Sequence, residues 1–206
     1  VMITMARSSA ERISELLDEK VDLTNPENPI MEVNNGDISF SNVNFSYAKD
    51  KNKLCLSNIN LHIKSGETIG IIGGTGSSKT SLVQLIPRLY DSTEGSVSVG
   101  GVDVKNYDLE TLRNQVAMVL QKNVLFSGTI KENLCWGNRN ASDVDIIHMC
   151  QLAQAHDFIM SFPKGYDTYV EQGGTNLSGG QKQRICIARA LLKNPKLKAS
   201  QVKRRL

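Results

Sequence analysis

The amino-acid sequence predicts an α/β domain, and three stretches carry that expectation. Apolar residues alternate with polar ones at Ile38 and Phe40, at Val43, Phe45 and Tyr47, and again at Ile59, Leu61 and Ile63, the period of strands with one buried face. The run Val116-Ala-Met-Val-Leu120 is apolar without alternation, as in a strand buried on both faces of a parallel sheet. Between them, the apolar residues 68–72 lead into Gly73-Gly-Thr-Gly-Ser-Ser-Lys-Thr80 and a helical pattern, giving strand, glycine-rich turn and helix in succession.

The chain has 206 residues, 40% hydrophobic and 22% charged, which is enough for one domain with a core of its own. The net charge of +3 is more than accounted for by Lys196, Lys198, Lys203, Arg204 and Arg205. The body is therefore slightly acidic, and no nucleic-acid partner is expected. Cys55, Cys135, Cys150 and Cys186 form no C-x-x-C pair, and His62, His148 and His156 are not spaced as metal ligands. The cysteines read as small core residues of a reduced setting. No apolar run approaches the roughly 18 residues of a membrane span, and no signal peptide is visible. Any membrane is expected to be met through another segment or chain.

In chain order, Ile3, Ala6, Ala10, Ile13 and Leu17 draw one apolar stripe along a helix that Thr4 helps to start, a stripe that needs a partner. Asn25-Pro-Glu-Asn-Pro29 stops the helix and reads as a linker, with a boundary near residue 30. The alternation of the first strand changes phase after Phe40, which predicts a bulge or bend at Ser41-Asn42. Residues 64–67 turn the second strand into the expected strand at 68–72. After the glycine-rich turn, Leu82, Val83, Leu85, Ile86 and Leu89 give a helix that Pro87 kinks or ends. Val97 and Val99 before Gly100-Gly101 look like half a hairpin, and Asp108 caps a helix over 109–114. Thr129 to Glu132 has capping-box spacing, and Ser142 caps a helix carrying Ile146, Ile147, Cys150 and Leu152. Residues 128–162 are thus a helical insert between sheet elements. No internal repeat is present.

Three places carry chemistry. In Gly73, Gly74, Thr75, Gly76, Ser77, Ser78, Lys79 and Thr80, glycines let backbone N–H groups face an anion, Lys79 reaches terminal phosphates and the Thr80 hydroxyl suits Mg²⁺. Ser78 stands where the pattern G-x-x-x-x-G-K-[ST] has glycine, and the octet alone is also compatible with an ordinary glycine-rich turn. Gln121 follows the apolar run, where polar residues past strand ends meet ligands; by position alone it is equally a solvated loop residue. Ser178, Gly179, Gly180 and Gln181 open a second helix with hydroxyl and N–H groups suited to a phosphate, or form a plain glycine turn with a serine cap.

Taken together and in order, these stretches resemble the nucleotide-binding domain of ABC transporters, of the exporter type in which membrane and nucleotide domains share a polypeptide. Tyr47 in Phe45-Ser-Tyr47 matches the aromatic that stacks on adenine, and Gly73 to Thr80 matches the Walker A loop. Gln121 matches the glutamine that contacts Mg²⁺ and the attacking water while sensing the membrane domain. Leu177-Ser-Gly-Gly-Gln181 matches the family signature, and residues 128–162 match its helical subdomain. Ala6-Arg-Ser-Ser-Ala-Glu-Arg-Ile13 is similar to the helical exit from the last membrane span. The resemblance implies a P-loop NTPase sheet with an N-terminal antiparallel β subdomain and a helical insert. It implies ATP and Mg²⁺ as ligands, a second nucleotide-binding domain closing head to tail, the transmembrane domains of an exporter as partners, and a place on the cytoplasmic face of a membrane.

The expected organisation is residues 1–29 as the end of a membrane-domain helix with its linker, 30–196 as an incomplete nucleotide-binding domain, and 197–206 as a basic tail outside the family pattern. After Lys196 the family continues with the Walker B aspartate, the catalytic glutamate and the switch histidine, for which residues 197–206 offer no counterpart. The expectation is a truncation or frame shift, with C-terminal strands missing, residues 68–72 left as an uncovered edge and the tail unfolded. On that basis the chain alone is expected to bind rather than turn over ATP. A non-hydrolysing dimerising module and an inactive fragment are the alternatives.

Overall fold

A computed structural model describes residues 2–120 and 123–200. Helix α1 (Met2–Leu17) forms where the apolar stripe predicts it, and Ile13, Leu16 and Leu17 stay exposed along it. The linker that follows docks on the domain. The Asn25 side chain donates to Asp108 and accepts from the Leu109 N–H, and Ile30 exchanges backbone hydrogen bonds with Asn106 and Asp108. No helix among the described residues is long and apolar enough to cross a membrane.

Strands β1 (Ile38–Phe45) and β2 (Leu56–Ile63) pair antiparallel, with Ile38 opposite Ile63, Phe40 opposite Leu61 and Val43 opposite Ile59. The register shifts between Phe40 and Val43, at the predicted bulge. Two consecutive exposed residues, Ser41 and Asn42, let Phe40 and Val43 both face inward, and Asn42 takes a left-handed φ of 49°.

Residues 68–72 are not a strand, which corrects the sequence expectation. A strand exists by sharing its N–H and C=O groups with a neighbour, and the described residues place none beside this segment. Ile72 is 97% exposed. Helix α2 (Lys79–Leu85) follows the glycine-rich turn and ends before Pro87, whose ring admits no further helical hydrogen bond.

Strand β3 (Glu94–Val99) pairs with the other edge of β1, and the two-residue turn Gly100-Gly101, with φ of 57° and 81°, joins it to β4 (Val102–Asp103). The four-stranded sheet runs β2-β1-β3-β4. Helix α3 (Leu109–Asn114) is capped by the Asp108 carboxylate, which accepts from the Thr111 N–H. That bond, with Asn25, holds the Asp108 carboxyl below the usual carboxylate range.

Strand β5 (Val116–Val119) is the predicted apolar run. Strand β6 (Gly128–Thr129) leads into α4 (Ile130–Cys135), whose capping box joins Thr129 and Glu132 as predicted. Asn133 of α4 is buried and satisfied by the backbone of Phe126 and Thr129, which fixes the preceding loop. Helices α5 (Asp143–Leu152), capped by Ser142 and Asp145, and α6 (His156–Met160) complete the helical insert. Strand β7 (Tyr169–Val170) pairs with β6, and the long helix α7 (Gly179–Leu192) closes the second half of the molecule.

The last described element is β8 (Leu197–Ser200), parallel to β5 with Val116 opposite Leu197 and Val119 opposite Ser200. The expectation of an unfolded tail from residue 197 is therefore wrong over these four residues. The backbone edge of β5 supplies the hydrogen bonds, beginning with the Leu197 N–H on the Gln115 carbonyl. The Lys193 ammonium on the Arg113 carbonyl, 2.7 Å, and the Lys196 ammonium on the Val33 and Asn34 carbonyls fix the approach. Leu197 and Ala199 face inward while Lys198 and Ser200 face out, a pattern too short and too charged to read as a strand in advance.

Two cores result. One joins the four-stranded sheet to α2 and α3 through Phe40, Val43, Phe45, Leu85, Val97 and Leu112. The other joins α4 to α7 through Leu134, Ile146, Cys150, Ile159 and Ile185. Strand β5 belongs to both: Val116 packs in the first core and Val119 in the second.

The bulge in β1 depends on its neighbour. Gly95 has φ 76°, and a Cβ there would lie 2.3 Å from the Asn42 carbonyl oxygen and 2.5 Å from that of Ser41. Gly95→Ala combines left-handed strain with a backbone clash and is expected to destabilise the chain by about 2–4 kcal/mol, measured by urea unfolding. An unchanged midpoint would show that the bulge relaxes around the added methyl.

Candidate functional site

The glycine-rich turn is folded around its own lysine. The Lys79 ammonium donates to the carbonyls of Gly73 and Gly74, each at 2.7 Å, and to Ser77 Oγ at 2.9 Å. Ser77 Oγ in turn donates to the Gly74 carbonyl at 2.8 Å. At Gly73 a Cβ would stand 2.6 Å from Ser77 Oγ, so a larger residue there would displace that hydroxyl. Gly76, at φ 83°, needs glycine for its backbone conformation, and both Gly74 and Gly76 face open space. The result is an exposed loop with the Lys79 side chain at its centre and room above it. Neutral carbonyls are weaker partners for an ammonium than anionic oxygens, so this donor set fits a polyphosphate.

Ser78 closes the loop with φ 56° and ψ 21°, in the left-handed region, and makes no side-chain cap to α2. The sequence departure from glycine thus falls where the backbone calls for glycine. Lys79 opens α2, followed by Thr80, which is exposed.

The same helix anchors Tyr47. The Tyr47 hydroxyl lies 2.8 Å from Ser81 Oγ and donates to Gln84 Oε1 at 3.3 Å. Its ring is 53% exposed and meets Phe45 edge-on at 4.8 Å and Tyr90 at 5.0 Å with an interplanar angle of 89°. An exposed, oriented aromatic face therefore stands over the helix that begins at the lysine. Sequence reasoning found Tyr47 but missed Ser81, Gln84 and Tyr90. The i, i+3 spacing of Ser81 and Gln84 places them on one helix face, the one available signal.

The second glycine turn is elsewhere. Ser178 caps α7 in a reciprocal box: its hydroxyl accepts from the Gln181 N–H at 3.2 Å, and Gln181 Oε1 accepts from the Ser178 N–H at 2.9 Å. Gly179 and Gly180 face open space. Arg184, one turn on, donates to the Gln154 carbonyl and sits over the Phe158 ring at 5.3 Å, tying α7 to the helical insert. The Ser178 hydroxyl keeps a donor beside two open backbone N–H positions, a second anion-type terminus. The two turns do not share a core. Leu82, Leu85 and Ile86 of the first pack with the sheet, and Leu177 and Ile185 of the second pack with the helices.

Gln121 lies outside the described residues. Among the described residues, no group of three or more His, Cys, Asp or Glu side chains is arranged to hold a metal ion. The cysteines are free thiols, and burial pushes the Cys150 thiol up to about 11, so it is a core group rather than a nucleophile.

The chain as a whole is similar to known proteins. The family model described as ABC transporter matches residues 56–199. The chain is 46% identical over 196 residues to a Bacillus subtilis (strain 168) protein whose name assigns it to multidrug export, the ATP-binding/permease protein YgaD, covering 95% of this chain and 34% of that one. It is 41% identical over 198 residues to the ABC transporter ATP-binding protein YknU of the same organism, covering 95% and 34%. Among solved structures, a bacterial Atm1-family ABC exporter with ATP bound aligns at a TM-score of 0.88 and 33% identity, over 96% of this chain and 34% of that chain. The chain spans about a third of the length of the curated relatives it matches.

Ser78 gives this site a direct test. Ser78→Gly removes a left-handed penalty of about 1 kcal/mol that the loop carries without any ligand, and is expected to stabilise the folded chain by up to about that amount, measured by urea unfolding. An unchanged or lower midpoint would mean that the Ser78 side chain itself contributes a contact.

Proposed function

We propose, from the premise that the chain belongs to the ABC transporter family and has the nucleotide-binding fold of its exporter relatives, that it binds Mg-ATP to power export across a membrane. The observation that carries this reading is the single helix α2, which begins at Lys79 inside the glycine loop and, one turn later, holds the Tyr47 hydroxyl on Ser81 and Gln84. One rigid element thus sets a phosphate-binding cation and a base-stacking ring at a fixed separation.

In this reading the Lys79 ammonium exchanges the Gly73 and Gly74 carbonyls for the terminal phosphates, and backbone N–H groups from Gly73 to Ser78 line the phosphate chain. Thr80 and Gln121 would hold the Mg²⁺, which would neutralise charge on the phosphates, and Gln121 would orient the attacking water. Tyr47 stacks on the adenine. Ser178, Gly179, Gly180 and Gln181 serve an ATP on a second nucleotide-binding domain, closed head to tail. The separation of the two glycine turns onto different cores supports that arrangement, because each turn needs an opposing surface to complete a site. The partners are that second domain and the membrane domains of an exporter, which places the chain at the cytoplasmic face of a membrane; no nucleic acid is involved.

The reading is tested at Lys79. Lys79→Ala removes a charge-assisted contact of about 2 kcal/mol or more and is expected to weaken Mg-ATP binding at least thirtyfold, measured by calorimetry on the folded chain. Unchanged affinity would remove the glycine loop from the site.

A further inference from the structure

The hydroxyl contacts of Tyr47 leave one freedom open. The ring turns about the axis from Cβ to the phenol oxygen, so hydrogen bonds to Ser81 and Gln84 hold the oxygen in place without fixing the plane of the ring. Side contacts fix that plane, and the ring contacts among the described residues are Phe45 at 4.8 Å and Tyr90 at 5.0 Å. Phe45 is held by the sheet core; Tyr90 is 41% exposed and belongs to neither core.

The Tyr90 ring meets Phe45 at 5.7 Å, and its backbone is held by the residue pair on either side of it. Arg88 is 6% exposed, and its guanidinium takes the Asp91 carboxylate with both Nε, at 2.8 Å, and Nη2, at 3.2 Å. Its Nη1 donates to the Thr24 carbonyl of the linker and to the Lys105 carbonyl beyond β4, each at 3.3 Å. The Arg88 carbonyl accepts from Arg113 of α3 at 2.9 Å. Arg88 also has a left-handed φ of 50°, a conformation that a long side chain keeps only when its surroundings determine it. An arginine fork closing on a carboxylate three residues on fixes the short segment between them, and Tyr90 is in that segment.

We infer that Tyr90, held by the Arg88–Asp91 clamp, is a positioning residue that sets the plane of Tyr47 and thereby the base-dependent part of nucleotide affinity. This rests on the reading of Tyr47 as the base-stacking ring. Because the clamp also grips Thr24, the linker that follows α1 bears on the same ring. A nucleotide base gains from Tyr90 only through Tyr47, whereas the phosphate chain gains nothing.

The test compares Mg-ATP with magnesium tripolyphosphate, which carries the phosphates without the base, on the full chain by calorimetry. Tyr90→Ala is expected to weaken ATP about three- to tenfold and leave tripolyphosphate unchanged, with Tyr90→Leu as a bulkier second variant and Tyr90→Phe keeping the original ratio. Arg88→Lys, which keeps the charge and loses the fork, is expected to move the ratio the same way by less. A proportional loss for both ligands, or no loss for ATP in either Tyr90→Ala or Tyr90→Leu, overturns the role of Tyr90. A ratio unmoved by Arg88→Lys while Tyr90→Ala lowers it overturns the clamp. A ratio unmoved by Tyr47→Ala overturns the stacking reading itself, a failure distinct from the other two.

Discussion

The parallel pairing of β5 with β8 is the joint on which the rest of the molecule depends. Strand β5 is four residues long, with Val116 in the sheet core and Val119 in the helical core, so it is the covalent and packing bridge between them. A strand so placed has to satisfy its backbone groups without water, and β8 supplies one edge of that requirement. The lysines around it contribute through their donors: Lys193 and Lys196 cap carbonyls of the α3 end and of residues 33–34. Burial lowers the Lys193 pKa, since a neutral amine loses less on leaving water than an ammonium does.

Left-handed backbone occurs at non-glycine residues near the glycine loop and the Tyr47 ring, as it does elsewhere in the chain. Ser78, Lys49 and Arg88 all hold left-handed φ values, at 56°, 56° and 50°. Each stands at the end of an element: Ser78 starts α2, Arg88 follows it, and Lys49 turns the chain after Tyr47. None is glycine, so each conformation costs on the order of 1 kcal/mol that neighbouring contacts offset. For Arg88 those contacts are four side-chain hydrogen bonds at the surface of the sheet core. The bulge of β1 works differently, because there the strain of Asn42 is accommodated by a glycine across the ladder.

The exposed apolar residues divide by position. Ile69, Ile71 and Ile72 are exposed on a segment without strand partners among the described residues, and Ile13, Leu16 and Leu17 on α1. Phe126 and Trp136 stack at 5.0 Å beside the loop that Asn133 fixes. The two glycine turns are polar by contrast.

Local chemistry was decided by the sequence alone wherever the causes are local. The caps at Asp108, Thr129, Ser142 and Ser178, the end of α2 before Pro87, the bulge at Ser41-Asn42 and the glycine-rich turn each follow from residues within a few positions of one another. The alternation of the first strands and the unbroken apolar run of β5 likewise reflect which face is buried, and periodicity records that directly. Tertiary structure decided the rest. The apolar residues 68–72 read as a strand and are not one, while Leu197-Lys-Ala-Ser200 reads as tail and is a strand. Both reversals have the same cause: a strand is a property of a pair, and only the assembled fold says which backbone edges have a neighbour. The same holds at the site, where Tyr47 was legible through the family resemblance of Phe45-Ser-Tyr47. That Tyr90 and Arg88 secure it is a matter of distance in space, for which the sequence has no period and no motif.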